Sequence, residues 1–223
     1  MLLINSFKRR GVLTTFKVLF SMFLDLIFDI KYGTDTMNFT NLSSLDIDSQ
    51  NKNSGSDYIP SRARHIEQIF SLDIFNKNMN FTDIGSGKGR VLLIASQFFN
   101  KIRGVEFSKD LCKTCSKNIS IYDNLKNKNL SSRISVINKD ITDYSIDKEE
   151  NVFYLFNPFD STILEVFVRN LSESLKVNPR VCWIIYYYPV HYDVILKSPF
   201  FKLFRKEKLD GISCLIFRGK FNV

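Results

Sequence analysis

Ten consecutive residues, Phe81-Thr82-Asp83-Ile84-Gly85-Ser86-Gly87-Lys88-Gly89-Arg90, place three closely spaced glycines between two apolar runs. They read as a strand, a tight turn and the start of a helix. Glycines let a backbone approach a ligand closely, and the helix N-terminus behind them presents free N–H groups and a partial positive charge. Such a turn suits an anionic or carboxylate-bearing cofactor, and spacing separates the candidate classes. A nucleoside triphosphate loop needs G-x-x-x-x-G-K-[ST], but Thr82 stands where its first glycine belongs and Gly89 follows Lys88. A dinucleotide fingerprint needs G-x-G-x-x-G, whereas here Gly85, Gly87 and Gly89 alternate and an acid, Asp83, stands two residues ahead of them. Both readings fail on spacing.

Three further places could carry chemistry. Glu106 ends an apolar run, Asp140 follows another (Ile134-Ser-Val-Ile-Asn-Lys), and Asn157-Pro158-Phe159 follows a third. Taken singly, the glycines could make only a turn, the acids could be solvated strand ends, and Asn157-Pro158 could be a loop. Their joint occurrence in one alternating pattern argues for a site. His191, just beyond Tyr186-Tyr187-Tyr188, is a candidate general base for a hydroxyl acceptor, although a lone loop histidine is more often incidental. Cys112 and Cys115 form a CxxC, but they fall within a predicted helix and the chain has only 2 histidines, so no metal or redox site is expected.

The elements that must position these residues alternate. Strands are expected at 81–84, 102–106, 134–138, 152–157 and 180–188, with helices at 60–75, 90–98, 109–119 and 162–175. Such alternation implies a parallel sheet covered on both faces. Residues 200–208 and 212–220, joined by Asp210-Gly211, read as a terminal hairpin. Ahead of all this, residues 12–30 carry apolar side chains at Val12, Phe16, Leu19, Phe20, Phe23, Ile27 and Ile30, which is helical spacing. Lys17, Asp25 and Asp29 break the other face. The helix is expected to pack on the domain; the competing reading, with Lys8-Arg9-Arg10 beside it, is a peripheral helix lying on an anionic membrane. Residues 33–57 are polar and read as a long loop or lid.

Composition sets the outer limits. The 223 residues are 44% hydrophobic and 24% charged, with 9 Gly and 5 Pro, which fits a folded domain and excludes disordered and low-complexity classes. The longest nearly uncharged apolar run, 18–24, is far below the roughly 18 residues that cross a bilayer, which argues against an integral membrane protein. The 4 cysteines and the lack of a convincing signal peptide point to a reducing, cytoplasmic location. Net charge is +8, and residues 81–223 hold most of the excess, 22 basic against 15 acidic side chains. The charges are interleaved, so a solvated basic surface is favoured over a nucleic-acid-binding one.

The pattern D-x-G-S-G-x-G resembles motif I of the class I S-adenosylmethionine-dependent methyltransferases, and the resemblance covers about residues 58–223. It implies an α/β fold: a Rossmann-like, seven-stranded, mostly parallel sheet with a C-terminal antiparallel hairpin and helices on both faces. Residues 1–57 would then be an N-terminal helix and lid, and 58–223 the methyltransferase domain. It also implies that S-adenosyl-L-methionine is the cofactor, held by Asp83, Gly85, Ser86, Gly87 and Gly89 at the methionine part, Glu106 at the ribose and Asp140 at the adenine. Asn157, Pro158 and Phe159 correspond to motif IV, which faces the methyl donor in amino-methylating relatives. There the usual N-P-P-[YF] is shortened here to N-P-F followed by Asp160, a departure that counts against base-specific methylation of adenine or glutamine. The segment Tyr58-Ile-Pro60-Ser61, the D-I-G-S-G-K-G-R turn and Gly104-Val-Glu106 resemble protein-lysine methyltransferases of the histone telomeric-silencing and ATP synthase c-subunit type. That implies that Tyr58 and Ser61 cap the cofactor and that the acceptor is an amine such as a protein lysine. The alternatives are an O-methyltransferase of a saccharide or small metabolite and a nucleic-acid methyltransferase.

Overall fold

The computed structural model describes residues 12–126 and 129–219. Lys8-Arg9-Arg10 and the last residue of the expected final strand, Lys220, lie outside them. Seven strands form one sheet in the order β3-β2-β1-β4-β5-β7-β6. They are β1 (Asn80–Ile84), β2 (Lys101–Glu106), β3 (Ile134–Asn138), β4 (Val152–Phe156), β5 (Trp183–Tyr187), β6 (Phe201–Leu209) and β7 (Ile212–Gly219). The first five run parallel, while β7 pairs antiparallel with both β5 and β6. This is the fold class the sequence implied.

Helices cover both faces because alternate strand residues are apolar on both sides. On one face α2 (Ala63–Phe70), α3 (Arg90–Ala95) and α4 (Lys109–Lys126) pack around Phe81, Ile102, Tyr154, Ile185 and Ile216. On the other, α5 (Ser161–Val177) and α6 (Tyr192–Lys197) pack around Ile84, Val105, Phe153, Leu155 and Phe217. The Asp160 carboxylate starts α5 by accepting from the Ile163 N–H at 3.1 Å, satisfying one of the free donors of its first turn. The helices expected at 60–75 and 90–98 are shorter than their apolar patterns, and α6, six residues long, lies in what read as a loop.

Ahead of the sheet, α1 (Val12–Tyr32) corrects the expected packing. It does rest on the domain, but through the face that carries Asp25, Phe28, Asp29 and Tyr32. Asp25 and Phe28 are buried, while Phe20, Phe23, Ile27 and Ile30 are exposed. The cause is Arg90, whose buried guanidinium lies 3.2 Å from Asp25 and 3.7 Å from Asp29 and stacks over the Phe28 ring. A buried cation is tolerable only when paired, so its need for carboxylates overrides the apolar periodicity. Asp29 also accepts from the Thr36 and Met37 N–H groups at 2.8 and 2.6 Å, which turns the chain back over the sheet.

Residues 33–61 form an ordered strap across the carboxyl ends of the parallel strands, with short 3-10 turns at Leu42–Ser44 and Lys52–Ser54. Thr40 bridges Tyr58 and Gly55 bridges Phe159. The Ser56 N–H donates to the Pro158 carbonyl and the Asp160 N–H to the Ser54 carbonyl, at 3.0 and 2.9 Å.

Candidate functional site

In an open parallel sheet, ligands bind beyond the carboxyl ends of the strands where the order reverses. Here that point lies between β1 and β4, and the glycine turn leaves β1 beside it. The Gly85 and Ser86 N–H groups both donate to the Val105 carbonyl, at 2.9 and 3.2 Å, which ties the turn to the end of β2. Gly85 and Gly87 have φ of 76° and 52°, in the left-handed region that favours glycine. A methyl group on Gly85 would sit 2.7 Å from Pro158 Cβ, and one on Gly87 would sit 2.3 Å from the Tyr58 ring. We expect Gly87→Ala to abolish ligand binding by pushing Tyr58 out of its seat; calorimetric titration against the parent chain measures this.

A cleft open to solvent follows the turn. Tyr58, Ser61, Asp83, Gly85, Ser86, Gly87, Glu106 and Pro158 all line it, so most of the predicted cofactor residues converge. Glu106 braces the turn: one carboxylate oxygen accepts from the Gly87 N–H at 2.9 Å and the other from the Ser108 N–H at 3.0 Å. Burial nonetheless raises its pKa, with these N–H groups opposing the rise. Asp83 is buried to 2% exposure, and its pKa is raised well above the carboxylate range by burial and then by the negative charge of Glu106. Its carboxylate takes no hydrogen bond among the described residues. Two buried acids side by side make the cleft a seat for a cation. With α3 only six residues long, little dipole stands behind the turn, so the two acids, rather than the helix end inferred from the sequence, are the groups that would answer a ligand's positive charge.

An adjoining pocket shares Gly85, Phe107 and Pro158 with the cleft and adds Asn51, Gly55, Asp140, Ile141 and Phe159. Asp140 is engaged by the strap. Its carboxylate accepts from Ser49 Oγ, from Asn51 Nδ2 at 3.1 Å, and from the N–H and hydroxyl of Thr142, each at 2.9 Å. Burial works to raise its pKa, but these donors win and hold it below the usual range. The walls are Ile141 and Ile163 with the rings of Phe107 and Phe159, an apolar slot with one acid at its rim.

The remaining predicted residues take different positions. Gly89 (φ 87°) lies behind the turn, its Cα facing Cys115, where an added methyl would meet Sγ at 2.5 Å. Asn157 adopts φ 41° at the end of β4; its Oδ1 accepts from the Tyr186 hydroxyl at 3.0 Å and its carbonyl from Ser56 Oγ at 2.9 Å. Phe159 is buried in the adjoining pocket. His191 stands at the start of α6, and its N–H donates to the same Tyr186 hydroxyl at 3.4 Å.

Sequence reasoning passed over Leu45, Ile59, Phe107 and Phe156, which also line the cleft. Phe107 was findable, since it directly follows Glu106; Leu45 and Ile59 arrive on the strap and carry no local signal. At Phe156 begins a broad open groove lined also by Ile59, Arg62, Tyr188, Tyr192, Lys206 and Ser213. Tyr188, with φ 52°, is half exposed there.

This architecture is a Rossmann-like fold, one that several solved methyltransferases share. The chain resembles an RNA methyltransferase from Salinibacter ruber solved with S-adenosyl-L-homocysteine, at a TM-score of 0.53 and 16% identity, over 74% of this chain and 96% of that one. It likewise resembles magnesium protoporphyrin IX methyltransferase from Synechocystis PCC 6803 with bound S-adenosylmethionine, at a TM-score of 0.53 and 10% identity, over 71% of this chain and 78% of that one. These likenesses define the class of fold.

In sequence, the chain is 27% identical over 124 residues to the rRNA adenine N-6-methyltransferase of Limosilactobacillus reuteri. The match takes in 56% of this chain and 44% of that protein, so the chain matches less than half of the relative's length. No family profile matches the chain.

Proposed function

We propose that this protein is an S-adenosylmethionine-dependent methyltransferase that places the methyl group on an amine. The observation that carries the reading is the pair of buried carboxylates, Asp83 and Glu106, at a glycine turn whose Cβ positions are filled by Pro158 and Tyr58. The residues fit the cofactor. Ser86 lines the cleft with a buried hydroxyl that has no hydrogen-bond partner among the described residues, leaving a donor for a ligand. Asp83 and the turn would receive its cationic amino acid end, Glu106 its ribose, and the Asp140 slot its adenine. When bound, the cofactor supplies a methyl group on a sulfonium, so the protein's task is alignment and exclusion of water. Tyr58 lines the site with the strap, Pro158 lines the cleft and Phe159 the adjoining pocket, and Asn157 lies beside them at the end of β4.

The acceptor nitrogen must arrive neutral to attack, and the apolar setting of Phe156 and Tyr188 favours the neutral form of an amine. A protein lysine is the reading that rests on the resemblance of the Tyr58 to Glu106 segment, in which Tyr58 is seated against Gly87 and Ser61 bonds to the Tyr154 hydroxyl at 2.9 Å. A nucleobase amine is the second reading, favoured by the exposed ring of Tyr188 in the groove, on which a base can stack. It is also favoured by the sequence likeness to the rRNA adenine enzyme.

Two measurements test this. Calorimetry should show S-adenosylmethionine binding to the purified chain; absence of binding overturns the proposal. Transfer of labelled methyl into a fractionated extract of the source cell should put label in protein for the lysine reading and in nucleic acid for the second. Label confined to small molecules rejects both.

A further inference from the structure

The outward face of α1 is the part of the molecule that methyl transfer leaves unexplained. Phe20, Phe23 and Ile30 are 53%, 57% and 73% exposed, and Leu26 and Ile27 lie between them. Residues spaced 20, 23, 27 and 30 occupy one side of a helix, so these side chains form a single stripe. Isolated exposed apolar residues are ordinary, but a contiguous stripe of large ones marks a binding surface.

Charge indicates what binds. The acids of α1 are Asp25 and Asp29, and both turn inward to Arg90. The basic residues of the segment, Lys8, Arg9, Arg10, Lys17 and Lys31, are matched by no other acid in residues 1–32. Folding therefore separates the charges of this helix, consuming its negative ones in the interior. What remains for a partner is an apolar stripe on a segment whose other charges are, by sequence, all basic, which complements an anionic surface with an apolar layer beneath it. No described helix is long and apolar enough to cross a membrane.

We infer that α1 is an interfacial helix that docks the protein on an anionic membrane surface, its Phe20 to Ile30 stripe entering the boundary between headgroups and acyl chains. Asp25, Asp29 and Arg90 clamp the helix to the domain, so the site is held near the bilayer rather than on a free tether.

Flotation of the full chain with phosphatidylcholine vesicles, with and without phosphatidylserine, tests the inference. The chain should float with the anionic vesicles roughly tenfold more than with neutral ones, and less as salt rises. The triple substitution Phe20→Ser, Phe23→Ser and Ile30→Ser should cut flotation by about tenfold or more, with an unchanged thermal unfolding midpoint. Should the triple variant unfold, Phe23→Ser and Ile30→Ser singly should each lower flotation a few-fold. Failure to float with anionic vesicles overturns the inference, as does equal flotation of the folded variants. A dimer in light scattering that the triple variant dissolves, in a chain that does not float, assigns the stripe to a second copy instead.

Discussion

Replacing Asp83 by asparagine should weaken S-adenosylmethionine binding by roughly 10- to 100-fold, the value of a hydrogen bond to a charged group in a buried site, and should change how stability depends on pH. The two effects share a cause. In the folded chain the Asp83 carboxyl is pushed up by burial and by Glu106, so the native state holds a proton that the unfolded state releases near pH 4. A raised folded value means that the contribution to stability is fully present below the unfolded value. It is lost as pH rises from about 4 through the folded value. Glu106, raised by burial against its N–H partners, adds to the slope in the same sense. A cationic ligand reverses the preference by favouring the ionised carboxylate, so cofactor affinity of the parent chain should rise over the window in which ligand-free stability falls. The asparagine variant cannot titrate at this position. Urea unfolding across pH should give it a shallower decline, and calorimetry across the same range a weaker pH dependence of binding. A variant that keeps parental affinity at neutral pH would remove Asp83 from the site.

Arg90→Met should destabilise the fold by about 3–5 kcal/mol, the usual effect of removing one member of a buried ion pair. Arg90 is among the largest fully buried side chains of the described residues, and its partners lie in α1 and at both ends of the strap. Its guanidinium lies against Asp25 and Asp29 of α1, its Nε donates to Thr36 Oγ1 at 2.7 Å, and another nitrogen donates to the Ser61 carbonyl at 3.4 Å. Without it, Asp25 stays buried with the Ala63 N–H as its remaining donor, at 2.8 Å. Burial already raises the Asp25 pKa, against that N–H and Arg90, so the lone carboxyl should take up a proton more readily still. Urea unfolding at neutral pH should show the loss, and adding Asp25→Asn to Arg90→Met should recover part of it, because the stranded charge is then gone. Since the clamp also holds the strap, the single variant should lose cofactor affinity along with stability. Full stability in the single variant would show that α1 is fastened in some other way.

Much of the site is legible one strand at a time. Asp83 before the glycines, Glu106 at the end of the next strand and Asp140 after the third gather at one edge because parallel strands joined by helices bring their carboxyl ends together, Asp83 lying opposite Gly104 and Glu106 opposite Asn138. Asn157 falls there by the same rule. Spacing also rejected two cofactor classes before any contact was known. Gly89 shows where such reading stops: it belongs to the motif, but its Cα faces Cys115 of α4, a helix 20 residues further along the chain.

The sequence by itself determined the alternation of strands and helices, the terminal hairpin and the edge where the acids gather, because each follows from local periodicity and chain order. Only the tertiary structure decided which way α1 faces and what the polar segment 33–57 does. Apolar spacing points Phe20, Phe23, Ile27 and Ile30 toward a core, but the buried guanidinium of Arg90 has no solvent to balance it and draws Asp25 and Asp29 inward. The strap likewise has little local signal. It is ordered by backbone and side-chain bonds to Asn157, Pro158, Asp160 and Asp140, partners about 90 to 105 residues away, and long-range pairing of that kind is written in no single stretch of chain.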